Sequence, residues 1–245
     1  MGEYYLNQAV KAIEEKRVFL GVQTAHAISD PTNVLYAECL SRLRDERGNQ
    51  IAAMQFVPAL EKAGRIFSLD LIVLSKVLEF LDCHESAVLG CNISTFTMNS
   101  RASWDMILYQ LKKREHVLSR LVLEITETIS INDLALFNTF LNDARKLGCR
   151  VALDDFGSGL LQPVHLYSIK VDIIKIDAGI LHGSRDKKYS ESLRHFIRFT
   201  ECFVSTIVIE GVETEEDYWR LNEFKNVYLQ GRFMSDVVPI NTYRA

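Results

Sequence analysis

The amino-acid sequence predicts an α/β barrel, because its length, its alternating strand and helix patterns and its acidic strand ends all match that fold. The chain has 245 residues and 48% hydrophobic content, which suffices for a full core, and a single barrel of ~250 residues fits that length. Short β-branched runs alternate with longer segments of helical period, which is typical of parallel strands joined by crossover helices. Acidic residues stand at the ends of several runs, where barrel enzymes keep their chemistry.

Eight strands are predicted, each a short run rich in β-branched residues. They cover residues 18–24, 34–42, 87–94, 121–126, 151–155, 171–177, 206–210 and 227–230. Neither low-complexity sequence nor a Pro/Gly-rich linker interrupts the series, so residues 1–245 are predicted to form one domain.

Three of the connecting helices have start or stop signals in the sequence. Ser130 followed by Asp133 resembles a capping box ahead of an apolar stripe of helical period. Thr214 followed by Asp217 repeats this pattern before a second such stripe. A third, shorter helix is predicted over residues 56–63, where a glycine follows as a stop signal.

Composition and charge exclude several classes of protein. Formal net charge is −4, with 28 Lys and Arg residues and 32 Asp and Glu residues mixed along the chain, so no surface for long nucleic acid is expected. The five cysteines include no Cys-x-x-Cys pair, which disfavours a disulfide framework and a zinc knuckle. No apolar run approaches the ~20 residues of a membrane span, and no signal-peptide stretch begins the chain, so a cytoplasmic protein is expected.

A cluster of charged residues follows the second predicted strand. It comprises Arg42, Arg44, Asp45, Glu46 and Arg47. Such a cluster forms either a solvated turn or a surface that faces a ligand, and the pattern leaves both interpretations open.

Carboxylates recur at the carboxyl ends of the predicted strands. They are Glu38, Glu124, Asp154, Asp155, Asp177 and Glu210. A single acid at such a place is more often a helix cap or a solvated loop residue. Several converging carboxylates are costly to desolvate and need a compensating cation, and oxygen ligands favour magnesium or manganese over zinc. The adjacent pair in LDDFGSG is especially suited to bridging two metal ions.

Phosphodiester hydrolysis is the leading chemistry for such a site. Two cations ~3.5–4 Å apart that share a carboxylate stabilise the attacking and leaving oxygens of an in-line phosphoryl displacement. Lys175, near the end of an apolar strand, could hold or activate a water there, although a structural salt bridge with Asp177 is the alternative. The six histidines form no pattern that would give a nucleophile its base, so covalent catalysis is not indicated.

Seven sequence blocks carry a resemblance to a known family. In chain order they read YAECLSRL, CNIS, LEITET, DDFGSG, IKID, EGVETEE and LQG, and they resemble the signature blocks of the EAL-domain family of cyclic di-GMP phosphodiesterases. The resemblance runs from about Gln23 to Pro239. It implies a TIM-type (βα)8 barrel whose first strand runs antiparallel to the rest. The implied reaction is hydrolysis of one phosphodiester bond of cyclic di-GMP to linear pGpG, with water as the nucleophile and two Mg2+ or Mn2+ ions per site.

The resemblance also implies roles for individual residues. The ligands of the first metal would be Glu38, Asn92, Glu124 and Asp154. Asp155 would join Asp154 at the second metal, and Glu210 would either ligate that metal or assist the water as a base. Lys175 resembles the lysine that orients the water, and Glu127 the glutamate that steadies the loop after the Asp-Asp pair. The implied substrate-binding set is Gln23, Arg42, Asp177, Glu213 and Gln230.

The chain departs from the family pattern at a few positions. Cys39 replaces the usual alanine of the name-giving motif, and Pro163 falls in an altered loop after the Asp-Asp pair. Arg232 stands where an aromatic residue is common. These departures keep a second class of function open, a catalytically inactive cyclic di-GMP sensor or protein-interaction module. The resemblance further implies a homodimer through the loop and helix after Asp155, and the lack of a sensor segment suggests a regulatory protein partner.

Overall fold

The predicted α/β barrel is confirmed by the computed structural model, which describes residues 2–126, 134–159 and 161–244. The strands of this part of the chain are β1 (Val18–Ala27), β2 (Asp30–Arg44), β3 (Gln50–Ala52), β4 (Leu89–Ser94), β5 (Leu121–Thr126), β6 (Arg150–Phe156), β7 (Ile173–Ile176), β8 (Thr206–Ile209), β9 (Val227–Leu229) and β10 (Val238–Pro239). Strands β2 and β4 to β9 are parallel neighbours in that order.

The first strand closes the barrel and runs antiparallel to both of its neighbours, β2 and β9. Only Ile28 and Ser29 separate β1 from β2. A connection of two residues can join adjacent antiparallel strands, whereas parallel neighbours need a crossover of a dozen or more residues. The antiparallel first strand of the TIM-type barrel is therefore confirmed, and this short hairpin enforces it.

The helices of the described residues cover the outside of the barrel. They are α1 (Gly2–Glu14), α2 (Ala53–Lys62), α3 (Ile66–Cys83), α4 (Thr95–Met98), α5 (Arg101–Lys112), α6 (Leu134–Lys146), α7 (Ala178–Gly183), α8 (Ser190–Glu201) and α9 (Glu215–Leu221). Their apolar sides pack with the outward-facing strand residues into one continuous core. None of these helices is long and apolar enough to cross a membrane.

Two of the three helix predictions can be compared with the structure. At the start of α9, Asp217 N donates to Thr214 Oγ1 (3.1 Å) and Thr214 N donates to Asp217 Oδ2 (3.1 Å), so that capping box is confirmed. The helix predicted over residues 56–63 is α2, which begins three residues earlier. The box predicted from Ser130 and Asp133 lies outside the described residues.

The charged cluster after β2 forms a hairpin turn to β3, a strand that the sequence analysis missed. Strands as short as β3 and β10 show too little alternation to be recognised. Asp45 Oδ1 accepts hydrogen bonds from Arg47 N (2.9 Å) and Asn49 N (2.7 Å), and Glu46 pairs with Lys11 of α1. The solvated-turn interpretation therefore accounts for the tip of this cluster.

The barrel interior is layered along the strand direction. An apolar layer comprises Ala25 of β1 together with Tyr36, Val122, Ala152, Ile173 and Val208. Side chains two positions apart on a strand point to the same face, so the residues two positions further on along the parallel strands also point inward. These are Glu38 within β2, Glu124, Asp154 and Lys175 near the carboxyl ends of β5, β6 and β7, and Glu210 directly after β8.

Candidate metal centre

Lys175 lies at the middle of the polar layer and is fully buried. Its Nζ atom is 2.6 Å from Asp154 Oδ1, 2.7 Å from Glu124 Oε2, 2.9 Å from Glu210 Oε1 and 3.0 Å from Glu38 Oε2. Burial alone would lower the pKa of Lys175, but these four carboxylates raise it well above its ordinary value. The lysine is therefore a permanent cation that partly neutralises the acids.

Asp177 does not pair with Lys175, so the alternative of a structural salt bridge between them is wrong. The Asp177 side chain caps α7, where its Oδ1 atom accepts a hydrogen bond from Gly179 N (2.8 Å). Its charge nevertheless contributes to raising the pKa of Asp155. Asp177 thus stands beside the acidic cluster without joining it.

The carboxylates form two groups, each compact enough to hold one metal ion. Oxygen atoms of Glu38, Glu124 and Asp154 lie within 4.8 Å of one another, and so do oxygen atoms of Asp154, Asp155 and Glu210. Asp154 belongs to both groups. A shared carboxylate between two ligand sets is the arrangement that bridges a pair of divalent cations.

Asp155 reaches this cluster through an unusual backbone conformation. Regular alternation would turn the side chains of Asp154 and Asp155 to opposite faces of β6. Asp155 instead has a φ of 55°, in the left-handed region, and the pairing of β6 with β7 shifts register between Leu153 and Phe156. A non-glycine residue in this region costs on the order of 1–2 kcal/mol and often marks a functional position.

Glu38 is held as an anion by three donors. Asn92 Nδ2 donates to Glu38 Oε1 (2.8 Å), and Gln230 Nε2 donates to Glu38 Oε2 (2.7 Å), the oxygen that also contacts Lys175. Burial would raise the pKa of Glu38, but the charge of Lys175 and these hydrogen bonds outweigh it and lower the pKa. The amide of Asn92, expected among the metal ligands, is thus directly beside that carboxylate.

The other acids of the cluster hold their protons more tightly. Burial raises the pKa of Glu124 and of Glu210 well above the ordinary value, raises that of Asp154, and raises that of Asp155 to about 7. One ammonium cannot compensate five neighbouring carboxylates. The donor set therefore fits additional positive charge.

An unpartnered oxygen supports the same conclusion. Glu124 Oε1 is buried and has no hydrogen-bond partner among the described residues. A buried carboxylate oxygen without a partner is costly, and a bound cation would remove that cost. Because all the donors are oxygen atoms, the group fits hard cations such as magnesium or manganese.

Two residues that the sequence analysis missed shape this centre. Tyr36, two positions before Glu38 on β2, donates from its hydroxyl to Glu124 Oε2 (3.0 Å). Gly90 leaves room for Glu124, because a Cβ atom there would lie 1.9 Å from Glu124 Oε1. Both positions could be found by counting two residues back from a predicted ligand, Glu38 or Asn92, on the same strand.

A cavity of about 380 Å³ opens above the acidic cluster. Three of the predicted substrate-binding residues, Gln23, Glu213 and Gln230, line it together with Arg232. Gln23 Nε2 donates to the carbonyl oxygen of Ser235 (2.9 Å). The cavity is thus lined by residues of β1 and of the segments that follow β8 and β9.

Arg42, another predicted substrate-binding residue, is half-buried on β2. Its Nη1 atom donates to Ser41 O (2.9 Å). Burial lowers the pKa of Arg42 while the negative charge of Glu38 raises it, so the guanidinium lies within electrostatic reach of the acidic cluster.

A second cavity of about 230 Å³ lies next to Asp155, between β2, α2 and α3. Its walls are mostly apolar, but two buried acids, Glu61 and Asp70, face it. Asp70 Oδ2 accepts from Ser94 N (3.1 Å) and Thr97 Oγ1 (2.5 Å), and burial raises the pKa of Asp70 to about 7. Nothing in the sequence indicates this cavity, because its acids lie within apolar helices.

Glu127, expected to steady the loop after the Asp-Asp pair, lies outside the described residues.

The closed barrel and the carboxylates that converge on one lysine define a TIM-type α/β barrel protein with an acidic candidate metal centre. The sequence model of the EAL domain family matches residues 6–236, so the chain belongs to that family. The family resemblance read from the seven sequence blocks is thereby confirmed.

Relatives and solved structures agree with this assignment. Cyclic di-GMP phosphodiesterase PdeF of Escherichia coli (strain K12) is 26% identical over 96% of this chain and 32% of the relative. Cyclic di-GMP phosphodiesterase PdeB of Shewanella oneidensis is 28% identical over 95% of this chain and 28% of the relative. The chain thus spans less than a third of the length of these relatives. The structure of PaMucR phosphodiesterase in a c-di-GMP complex has the same fold, with a TM-score of 0.81 at 24% identity over 96% of this chain and 98% of that one.

Proposed function

We propose that this chain hydrolyses one phosphodiester bond of cyclic di-GMP and releases linear pGpG. The observation that carries the proposal is that two clusters of three carboxylates share Asp154, which lies beside the buried Lys175. The names of the two curated relatives support the same substrate and reaction class.

The proposed ligands follow the two carboxylate groups. Glu38, Asn92, Glu124 and Asp154 would hold one divalent cation, and Asp154, Asp155 and Glu210 would hold the other. Bound Mg2+ or Mn2+ would stabilise the attacking and leaving oxygens of an in-line displacement at phosphorus.

The remaining catalytic work is assigned to side chains that touch the same centre. Lys175 contacts four carboxylates of this centre and is proposed to orient the attacking water. Glu210 is proposed to ligate the second cation or to accept the proton of that water, and burial raises its pKa well above the ordinary value, which strengthens it as a proton acceptor. Glu127 is proposed to steady the loop after Asp155.

Both cavities suit a guanine-containing dinucleotide. Gln23, Gln230 and Glu213 offer polar contacts above the acidic cluster, and Arg42 offers a cation for a phosphate oxygen. Asp177 is proposed to act as a supporting acid beside this set.

The second cavity, next to Asp155, suits the base of the dinucleotide. Its apolar walls suit the face of a purine, and the carboxylates of Glu61 and Asp70 are acceptors for N–H donors. Guanine carries such donors on its ring nitrogen and its exocyclic amine. This chemistry favours a guanine base over a ligand without donors.

The test is incubation of the purified protein with cyclic di-GMP and Mg2+ or Mn2+, with the products separated by chromatography. The protein should release pGpG, and Glu38→Ala should abolish turnover by disturbing the first metal while circular dichroism shows an intact fold. Glu85→Ala, at an exposed position, is the matched control and should keep full activity. An active, metal-replete Glu38→Ala protein would contradict the assignment.

The competing function is a sensor that binds cyclic di-GMP without cleaving it. The altered loop after Asp155 favours this alternative, since it departs from the family pattern over residues 160–163 and contains Pro163, which removes a backbone donor. Binding of cyclic di-GMP by calorimetry with no pGpG over many hours would establish the sensor. The homodimer, the regulatory partner, the single domain over residues 1–245 and the cytoplasmic location stay predictions.

A further inference from the structure

Arg232 is a cation at the rim of the acidic cavity. Its Nη2 atom lies 2.7 Å from Glu213 Oε1, while its side chain is 74% exposed. Among the described residues that line this cavity, Arg232 is the one with a cationic side chain. A guanidinium has five N–H donors, and the contact with Glu213 leaves most of them directed at solvent.

The backbone holds Arg232 in this position. Gly231 has a φ of 153°, and a Cβ atom on it would lie 2.2 Å from Val212 O. Val212 N donates to Gln230 O (3.1 Å), and Phe233 N donates to Val212 O (3.0 Å). The segment after β9 is therefore bonded on both sides of Arg232 to the turn after β8.

Glu213, the carboxylate that orients Arg232, is itself anchored. It also contacts Arg185 Nη2 at 3.3 Å, and Arg185 pairs with the buried Asp217 at 2.8 Å. Asp217 Oδ2 in turn accepts a hydrogen bond from Glu213 N (3.1 Å). Arg232 is thus presented to the cavity by a fixed network, which lowers the entropy lost when it binds an anion.

The charges at the site leave a role for this cation. Five carboxylates and one ammonium meet at the candidate metal centre, and two divalent cations would bring that group to neutrality if every acid were ionised. A cyclic dinucleotide carries one negative charge on each of its two phosphodiesters. The diester to be cleaved would lie at the metal centre, and the other diester needs a separate cation.

We propose that Arg232 binds the phosphodiester of the cyclic dinucleotide that is not cleaved, and so selects substrates with two phosphates over substrates with one. This inference rests on the proposed function and deepens it by naming a specificity-determining residue. The planar guanidinium suits bidentate contact with phosphate oxygens, which a lysine cannot reproduce. Arg42, on β2, remains the proposed cation for the diester at the metals.

The experiment compares Arg232→Gln and Arg232→Lys with the wild-type protein on two substrates. Cyclic di-GMP has two phosphodiesters, whereas bis(p-nitrophenyl) phosphate has one. For cyclic di-GMP, Arg232→Gln should raise KM about tenfold with kcat within twofold, and Arg232→Lys should recover only part of the loss. For bis(p-nitrophenyl) phosphate, both variants should match the wild type. Arg101→Gln is the control, because Arg101 is an exposed arginine with one carboxylate partner, Asp105.

Two results would overturn the inference while the proposed function stands. One is an unchanged KM for cyclic di-GMP in Arg232→Gln, and the other is an equal loss on both substrates, which would show a general effect on the metal centre. If the wild-type protein cleaves neither substrate, the proposed function fails and calorimetric binding of cyclic di-GMP decides the inference. A tenfold weaker Kd for Arg232→Gln would then support it, and an equal Kd or no binding by the wild type would overturn it.

Discussion

Asp154 Oδ1 lies 2.6 Å from Lys175 Nζ, and the same carboxylate belongs to both of the groups that could hold a metal ion. The ammonium and the proposed cations therefore act on one set of acids. Removing either kind of positive charge should change the stability of the barrel and its response to metal.

Lys175→Met should destabilise the metal-free protein strongly. The substitution leaves three buried carboxylates and the partly buried Glu210 without their shared cation, and breaking a buried ion pair by removing one partner costs ~3–5 kcal/mol. We expect a lower Tm in EDTA, and a larger rise in Tm on addition of Mn2+ than in the wild type, because the metal replaces the lost charge. Lys112→Met, at an exposed site, should behave like the wild type. An unchanged Tm of Lys175→Met in EDTA would refute this account.

Gly90→Ala should damage the site through a single methyl group. The new Cβ atom would lie 1.9 Å from Glu124 Oε1 and 2.7 Å from Tyr36 Cε2, so both side chains must move. Overpacking of this kind costs ~1–3 kcal/mol, and displacement of Glu124 should also weaken Mn2+ binding. Denaturant unfolding and calorimetry measure the two effects.

Gly183→Ala provides the control, since nothing lies within 4 Å of a Cβ atom at that position. Its stability should equal or slightly exceed that of the wild type. Equal Mn2+ affinity in Gly90→Ala and the wild type would show that Glu124 is not a ligand.

Metal binding should release protons, and more of them at pH 6 than at pH 8. Asp155, with a pKa of about 7, is mostly protonated at pH 6 and ionised at pH 8, and burial raises the pKa of Glu124 and of Glu210 well above the ordinary value. A cation must displace those protons, so Mn2+ affinity should rise about tenfold per pH unit for each proton displaced. Calorimetry in buffers of different ionisation enthalpy counts the protons. The same number at both pH values would contradict the raised pKa of Asp155.

Asp70→Asn should stabilise the protein at high pH. The pKa of Asp70 is about 7 when folded and ~3.9 when unfolded, so the folded state binds more protons between these values and stability falls as pH rises through them. Relative to the wild type, Asp70→Asn should gain about 3 kcal/mol between pH 5 and pH 8. Denaturant unfolding in EDTA tests this expectation, and Asp105→Asn, at an exposed site, should show no such trend.

Most of the barrel could be predicted because its signals are local. All eight barrel strands lie where β-branched runs indicate them, and the Thr214 capping box forms as expected. The short strands β3 and β10 were missed, since two or three residues cannot display a period. The antiparallel direction of β1 entered through family resemblance, because the predicted bounds, 18–24 and 34–42, left nine residues between two strands that only Ile28 and Ser29 separate in the structure.

The residues of the candidate site could be predicted from the sequence, but their geometry could not. Alternation along each strand turns Glu38, Glu124 and Asp154 to the barrel interior, but the same alternation turns Asp155 outward. Only the left-handed backbone at Asp155 brings its carboxylate to the cluster. The second cavity, with Asp70 on an otherwise apolar helix, gave no recognisable signal at all.

The sequence by itself determined the order of strands and which side chains share the barrel interior, because alternation along a strand depends only on neighbouring residues. Tertiary structure alone decided that carboxylates as far apart in the sequence as Glu38 and Glu210 meet around the ammonium of Lys175. Closure of the barrel sets the distances between the strands that carry them. It also decided the charge of each acid, because burial and the nearest cation, which act through space, control the pKa.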